Sequence, residues 1–165
     1  MSTIRKILVP TNFSPHAQEA FRVAHDLAMA IGASVVVFHV SRPPAVVSDG
    51  HSALSTPADV EGKDVWERLR RIQPTDPAVH VEHEVIVADR PDASHILRIL
   101  QERGCDLIVI GTHGLSRLRH LLFGSVTEDV VRKAQCPVMV VKAPVHEAVA
   151  PSRPMVEQTT SRATA

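Results

Sequence analysis

The residues best suited to chemistry lie in one glycine-rich stretch, GTHGLSRLRHLLFGS at positions 111–125. Gly111 and Gly114 follow an apolar run, and Gly124 and Ser125 precede a stretch of helical periodicity. Glycines let a backbone approach a ligand closely, and a helix N-terminus adds a partial positive charge of about half a unit. Together these features can form an anion site such as a phosphate cradle.

A structural explanation of the same residues stays open. Gly111 and Gly114 could simply turn the chain, and Ser125 with Glu128 matches an S-x-x-E capping box in which Ser125 is the N-cap. The two explanations are compatible, because a capping serine can still offer its hydroxyl to a phosphate.

Two common nucleotide motifs are missing from the sequence. The only lysines are Lys6, Lys63, Lys133 and Lys142, so the glycine-rich stretch has no Walker lysine for the β and γ phosphates. The first apolar run ends in VPTNFSP without a G-x-G-x-x-G turn, and the second ends in His39-Val40-Ser41 without an acid. These absences disfavour P-loop kinases and nicotinamide dehydrogenases.

Short apolar runs alternate with stretches of helical period along the chain. Strands are predicted at 4–10, 33–40, 79–87, 105–110 and 137–141, and helices at 15–31, 58–72, 91–103 and 126–134. This alternation predicts a single-domain, Rossmann-like α/β fold, a doubly wound parallel five-stranded sheet with helices on both faces. Residues 1–142 form the predicted domain, and 143–165 a predicted disordered tail.

Three segments are expected to meet at one edge of this sheet. Ligands of doubly wound folds bind beyond the carboxyl ends of the strands, where the strand order reverses. Pro10, Thr11 and Asn12 follow the first strand, Val40 ends the second, and the glycine-rich stretch follows the fourth.

These residues carry a family resemblance. Gly111-Thr-His-Gly114, nine further residues and Gly124-Ser125 match the G-x-x-G-x(9)-G-[ST] signature of ATP-binding universal stress proteins. ILVPTNFSP, VVFHV and CPVMVV resemble that family's first, second and last strands, so the resemblance covers about residues 3–142. It implies the strand order 3-2-1-4-5, a homodimer through the last strand, and a role in stress response with an unknown protein partner.

The resemblance also implies the parts of an ATP site. Val40 would lie against the adenine, and Asn12 would face the adenine and ribose. The ribose and phosphates would be wrapped by Gly111, His113, Gly114, Gly124, Ser125 and Val126. His113 could equally fill the turn.

Asn12 departs from the family pattern, which usually has aspartate at this position. Asparagine keeps a carbonyl acceptor but loses the charge, and it is a poorer ligand for any Mg²⁺ that accompanies ATP. Asn12 could instead form a turn with Phe13 and Ser14.

Composition and sequence patterns disfavour nucleic-acid-binding, membrane and secreted proteins. The 18 Lys and Arg balance 18 Asp and Glu, which disfavours nucleic acid as a partner. Apolar runs such as 33–40 are too short to cross a bilayer, and the N-terminus lacks a signal-peptide pattern. We therefore expect a cytoplasmic protein with no membrane partner. Cys105 and Cys136 have no C-x-x-C spacing and are expected to be buried, reduced thiols.

The sequence thus predicts a universal stress protein that binds ATP as a regulatory ligand. Without a Walker lysine or an identifiable base, the chain is not expected to be an enzyme, or at most to hydrolyse ATP slowly. The main alternative is a nucleotide-free homodimeric interaction module whose glycine loop is structural. A slow ATP hydrolase is the weaker alternative.

Overall fold

A five-stranded sheet with four helices forms the described part of the chain. The computed structural model describes residues 3–43, 57–112 and 124–143, with side chains throughout except at 57–62. The elements are β1 Lys6–Pro10, α1 Pro15–Ile31, β2 Ser34–Ser41, α2 Pro57–Arg70, β3 Val81–Val87, α3 Ala93–Glu102, β4 Leu107–Gly111, α4 Ser125–Lys133 and β5 Val138–Val141. The predicted tail from residue 144 onward lies outside these ranges, so the division into domain and tail stays a prediction.

All four strand pairs are parallel, and the order is β3-β2-β1-β4-β5, which confirms the predicted fold class. β1 therefore lies at the centre, with Leu8 paired to Val36 on one side and to Ile108 on the other. The chain places β2 and β3 on one side of β1, and then crosses over to place β4 and β5 on the other side. The strand order therefore reverses between β1 and β4. The carboxyl ends of these two strands flank the crevice in which doubly wound folds bind ligands.

Alternating side chains of the strands fill two apolar layers. One layer lies under α1 and α2 and includes Val9, Val37 and Leu69. The other lies under α3 and α4 and includes Val40, Ile96 and Val130. Consecutive strand residues belong to opposite layers, because side chains on a strand point alternately to the two faces.

Local capping signals define the first helix as predicted. Ser14 is the N-cap and its hydroxyl accepts the Ala17 N–H (3.2 Å), with Pro15 at the first helical position. Gly32 ends the helix in the left-handed conformation (φ 71°) and donates its N–H to the Ala28 carbonyl.

Three predictions about local structure need correction. The N-cap of α4 is Gly124 and makes no side-chain cap bond, so the capping box with Ser125 as N-cap is wrong. α3 begins at Ala93 rather than at residue 91, because the Asp92 carboxylate accepts backbone N–H groups of its first turn. β3 begins at Val81 rather than at residue 79, because the Val79 N–H donates to the Asp76 carbonyl in the preceding turn (3.2 Å).

The two cysteines precede the neighbouring strands β4 and β5. Cys105 is buried, Cys136 is half-buried, and both are free thiols. Burial raises the pKa of Cys105 to about 11 and also raises the pKa of Cys136, so both stay protonated at neutral pH. No helix in the described ranges is long and apolar enough to cross a bilayer.

Candidate functional site

The structure brings most of the predicted site residues to the C-terminal edge of the sheet. Pro10 ends β1, Val40 is the penultimate residue of β2, and Gly111 ends β4. Gly124 caps α4, whose first two residues are Ser125 and Val126. Because all strands are parallel, these segments share one edge.

The two ends of the glycine-rich stretch are joined by hydrogen bonds. The Gly124 N–H donates to the Thr112 carbonyl (2.8 Å), and the Thr127 hydroxyl donates to the Gly111 carbonyl (3.0 Å). Thr127 is buried, so the second bond satisfies a hydroxyl that would otherwise be costly to bury. The start of α4 is thereby fixed against the end of β4. The predicted site residues His113 and Gly114 lie outside the described residues. The same is true of the basic residues of this stretch, Arg117, Arg119 and His120.

Gly111 has a packing role that its place in the motif does not reveal. A Cβ atom at this position would lie 2.8 Å from both the carbonyl carbon and the carbonyl oxygen of His16 on α1. Atoms at that distance overlap, so α1 packs on the end of β4 only because residue 111 has no side chain. The glycine permits a close helix–strand approach and has no left-handed backbone, so it is not simply a turn residue.

His16 is a structural residue of this edge that the sequence patterns did not reveal. Its Nδ1 accepts the Ala143 N–H (3.0 Å) and lies 3.2 Å from the Thr112 hydroxyl. Since an N–H donates to Nδ1, the imidazole carries its proton on Nε2. Its partners are 96 and 127 residues away in sequence, so no local pattern could have identified it.

Asn12 forms the turn that follows β1. Its Oδ1 accepts the Ser14 N–H (3.1 Å), and the Thr11 hydroxyl accepts the Phe13 N–H (3.1 Å). Phe13 lies in the left-handed region (φ 61°), which is unusual for a residue with a side chain. The predicted turn role of Asn12 is confirmed. Its side chain is exposed, so its amide N–H groups and the second lone pair of Oδ1 still face solvent.

His39 joins the ends of β1 and β2 on the opposite face of the sheet from Val40. Its Nδ1 donates to the Thr11 carbonyl (2.8 Å), and its ring packs against Phe13 in a tilted contact with centroids 4.6 Å apart. Burial lowers the pKa of His39, with a smaller contribution from the Arg68 charge, while the hydrogen bond to Thr11 opposes this shift. The imidazole is therefore neutral at pH 7 and holds the turn before α1.

Val40 and Val126 contribute to the same apolar layer, the one under α3 and α4. Val40 is 8% exposed, and Val126 is half-buried. Ser125 is exposed at the first position of α4, where the helix charge favours an anion. Within the described ranges, no group of three or more His, Cys, Asp or Glu side chains could hold a metal ion.

Comparisons with known proteins identify the family. The sequence profile of the universal stress protein family matches residues 3–142. The chain belongs to the universal stress protein family. A universal stress protein of Thermus aquaticus is 34% identical over 142 residues, which is 84% of this chain and 98% of the relative. One from Methanocaldococcus jannaschii is 28% identical over 156 residues, covering 84% and 94%.

Solved structures of universal stress proteins share the fold. The structure of the Methanocaldococcus jannaschii relative superposes with a TM-score of 0.66 at 26% identity, over 87% of this chain and 99% of that chain. A universal stress protein from Archaeoglobus fulgidus, solved in complex with dAMP, superposes with a TM-score of 0.55 at 25% identity, over 86% and 100%.

Proposed function

We propose that this universal stress protein binds ATP at the C-terminal edge of its sheet, as a regulatory ligand in a stress response. The observation that carries the proposal is the convergence of three segments beside the crevice between β1 and β4: the end of β1, Val40, and the hydrogen-bonded ends of the glycine-rich stretch. The family member solved with dAMP supports an adenine nucleotide as the ligand.

The base and the ribose occupy one side of the proposed site. Val40 contacts the adenine, and the turn Pro10-Thr11-Asn12 borders the base and the ribose. The exposed amide of Asn12 can donate to a ribose hydroxyl or accept from the adenine amine.

The phosphates occupy the other side, at the N-terminus of α4. The N–H groups of Ser125 and Val126 belong to the first turn and have no partner within the helix. They point outward together with the positive end of the helix, and the Ser125 hydroxyl adds a donor. In this proposal Gly111, His113 and Gly114 complete the cradle.

We expect binding without rapid turnover. The sequence has no Walker lysine, and no carboxylate stands at the position of Asn12 to help to hold Mg²⁺. Any Mg²⁺ would therefore be held chiefly by the phosphates of ATP. The alternative of a slow ATP hydrolase predicts multiple-turnover release of ADP that is lost in Ser125→Ala.

Isothermal titration with ATP, with and without Mg²⁺, tests the proposal. Saturable binding is expected, with GTP weaker than ATP. Ser125→Ala removes a hydroxyl that would bond a charged phosphate, so affinity should fall roughly tenfold or more. Ser34→Ala is the matched control, since it removes one hydroxyl at the opposite edge of the sheet. An absence of binding at millimolar ATP, or equal losses in both variants, would contradict the proposal.

The second candidate is a nucleotide-free homodimeric interaction module. It is favoured by two observations, the engagement of Asn12 in its own turn and the packing role of Gly111. Asn12→Asp separates the candidates, because aspartate keeps the acceptor for the Ser14 N–H and adds only charge. A large gain in ATP affinity would show a site that has weakened in this chain, and no binding in either form would favour the module.

The proposed assembly is a homodimer through β5. This strand lies at one edge of the sheet, and Met139 in it is 38% exposed. Val131, on the neighbouring helix α4, is 47% exposed. These apolar side chains are compatible with a covered edge. The cytoplasmic location expected from the sequence stays a prediction.

A further inference from the structure

A cavity lies between α1 and the end of α2, on the opposite face of the sheet from Val40 and Val126. Its volume is about 460 Å³, which is in the usual range for small-molecule sites. The lining residues are Phe13, Gln18, Phe21, Arg68, Arg71, Ile72 and Gln73. The apolar residues of the lining pack against the layer under α1 and α2; they are Phe13, Phe21 and Ile72. In contrast, Val40 and Val126 of the proposed nucleotide site belong to the layer under α3 and α4. The two regions are therefore distinct.

One wall of this cavity is built from the Phe13 ring. The left-handed backbone at Phe13 is strained for a residue with a side chain, and such strain persists only where neighbouring contacts determine the conformation. Here the Thr11 hydroxyl accepts the Phe13 N–H, and the His39 ring packs against the Phe13 ring in a tilted contact. The Gln18 amide also donates weakly to the Phe13 carbonyl (3.4 Å). The ring is thus held in place before any ligand arrives.

Two arginine side chains give the cavity its positive charge. Arg68 places its guanidinium carbon 4.2 Å from the centre of the Phe13 ring, and Arg71 lines the cavity one turn beyond. Within the described part of the chain, neither arginine forms an ion pair with a carboxylate. A basic residue at a helix C-terminus is common because it complements the helix charge. Arg68 and Arg70 both lie in the last turn of α2, but only Arg68 lines the cavity, and the Arg70 guanidinium lies near the Trp66 ring (5.7 Å) instead.

We propose that this cavity binds a small aromatic carboxylate, with the ring against Phe13, Phe21 and Ile72 and the carboxylate on Arg68 and Arg71. The chemistry of the lining selects this class. Guanidinium groups bind carboxylates through paired N–H donors, and the apolar walls favour a ring over a hydrated inorganic anion. The amides of Gln18 and Gln73 border the same cavity.

Isothermal titration of the full chain with 1-naphthoate tests the site. Saturable binding is expected, and 1-naphthalenemethanol and acetate should each bind at least about tenfold more weakly, because each lacks one half of the recognition. Equal binding of the neutral alcohol would overturn the charge role, and an absence of saturable 1-naphthoate binding at millimolar concentration would overturn the site.

Matched variants locate the binding. Arg68→Gln and Arg71→Gln should each weaken 1-naphthoate binding roughly tenfold, whereas Arg70→Gln, in the same turn but outside the cavity, should leave it unchanged. Circular dichroism of each variant verifies folding. In wild-type protein, amide NMR shifts caused by 1-naphthoate should be largest around Gln18 and Ile72. Largest shifts at Gly124 and Ser125 would place the ligand at the nucleotide edge and refute the proposal.

Discussion

Gly111→Ala tests whether this glycine is required for packing, independently of any nucleotide. The new Cβ would lie 2.8 Å from the carbonyl carbon and oxygen of His16, where ordinary van der Waals contacts are 3.4–4 Å. The obstacle is backbone, which cannot rotate away as a side chain could. Either α1 or the end of β4 must therefore move by about half an ångström or more.

The expected cost follows from this collision. Overpacking of this kind typically costs about 1–3 kcal/mol, and the movement also strains the hydrogen bonds of His16 to Ala143 and Thr112. Replacing a glycine restricts the unfolded chain and returns about 0.4–1 kcal/mol. With this gain subtracted, we expect a net loss of up to about 2.5 kcal/mol in the free energy of unfolding, which for a domain of this size lowers Tm by up to roughly 10 °C.

Urea denaturation without nucleotide measures the effect. The midpoint should fall while the slope of the transition stays unchanged. Gly104→Ala is the matched control, because Gly104 has a left-handed backbone (φ 61°) but no atom within 4 Å of the point where a Cβ would lie. The left-handed conformation costs about 1–2 kcal/mol for a residue with a side chain, so after the gain from restricting the unfolded chain the net loss should be about 0–1.5 kcal/mol. If Gly111→Ala is no more destabilising than Gly104→Ala, the packing argument is refuted.

Two further predictions concern pH and assembly. Burial lowers the pKa of His39 from its ordinary 6.5, so protons bind the unfolded chain first and stability should fall as the pH drops below about 6.5. His39→Asn keeps an N–H donor for the Thr11 carbonyl but does not titrate. Its urea midpoint should therefore fall less than that of the wild type between pH 7.5 and pH 5.5. Equal falls in the two proteins would contradict this prediction. Met139→Lys at the β5 edge should produce a monomer in sedimentation experiments, and Val87→Lys at the β3 edge should not; a monomeric wild type would contradict the proposed dimer.

The elements that were predicted correctly are those specified by residues that lie close together in the sequence. Ser14, Pro15 and Gly32 define α1 through bonds within one or two turns, so their types alone predict both ends of the helix. The continuous apolar run of β2 predicts a strand that is covered on both faces, as the structure confirms. The family resemblance supplied the strand order, which no local pattern could specify.

The contacts that the sequence did not predict join distant segments. His39 meets the Thr11 carbonyl, and His16 meets Ala143, because parallel strands bring the ends of separate segments to one edge. The start of α4 was misplaced for a different reason. Gly124 and Ser125 are both acceptable N-cap residues, and the choice falls on Gly124 because its carbonyl accepts the Glu128 N–H.

Asn12 is compatible with both candidate functions, because its role in the turn depends only on its side-chain oxygen. Its Oδ1 closes the turn after β1, and an aspartate would supply the same acceptor, so the turn does not require asparagine. The turn therefore requires neither asparagine nor aspartate in preference to the other. What distinguishes asparagine is the charge beside the proposed ribose and phosphate positions, because an amide lacks the negative charge that attracts Mg²⁺. An ATP site with Asn12 must consequently rely more on the N-terminus of α4 and on Ser125 than a site with aspartate would.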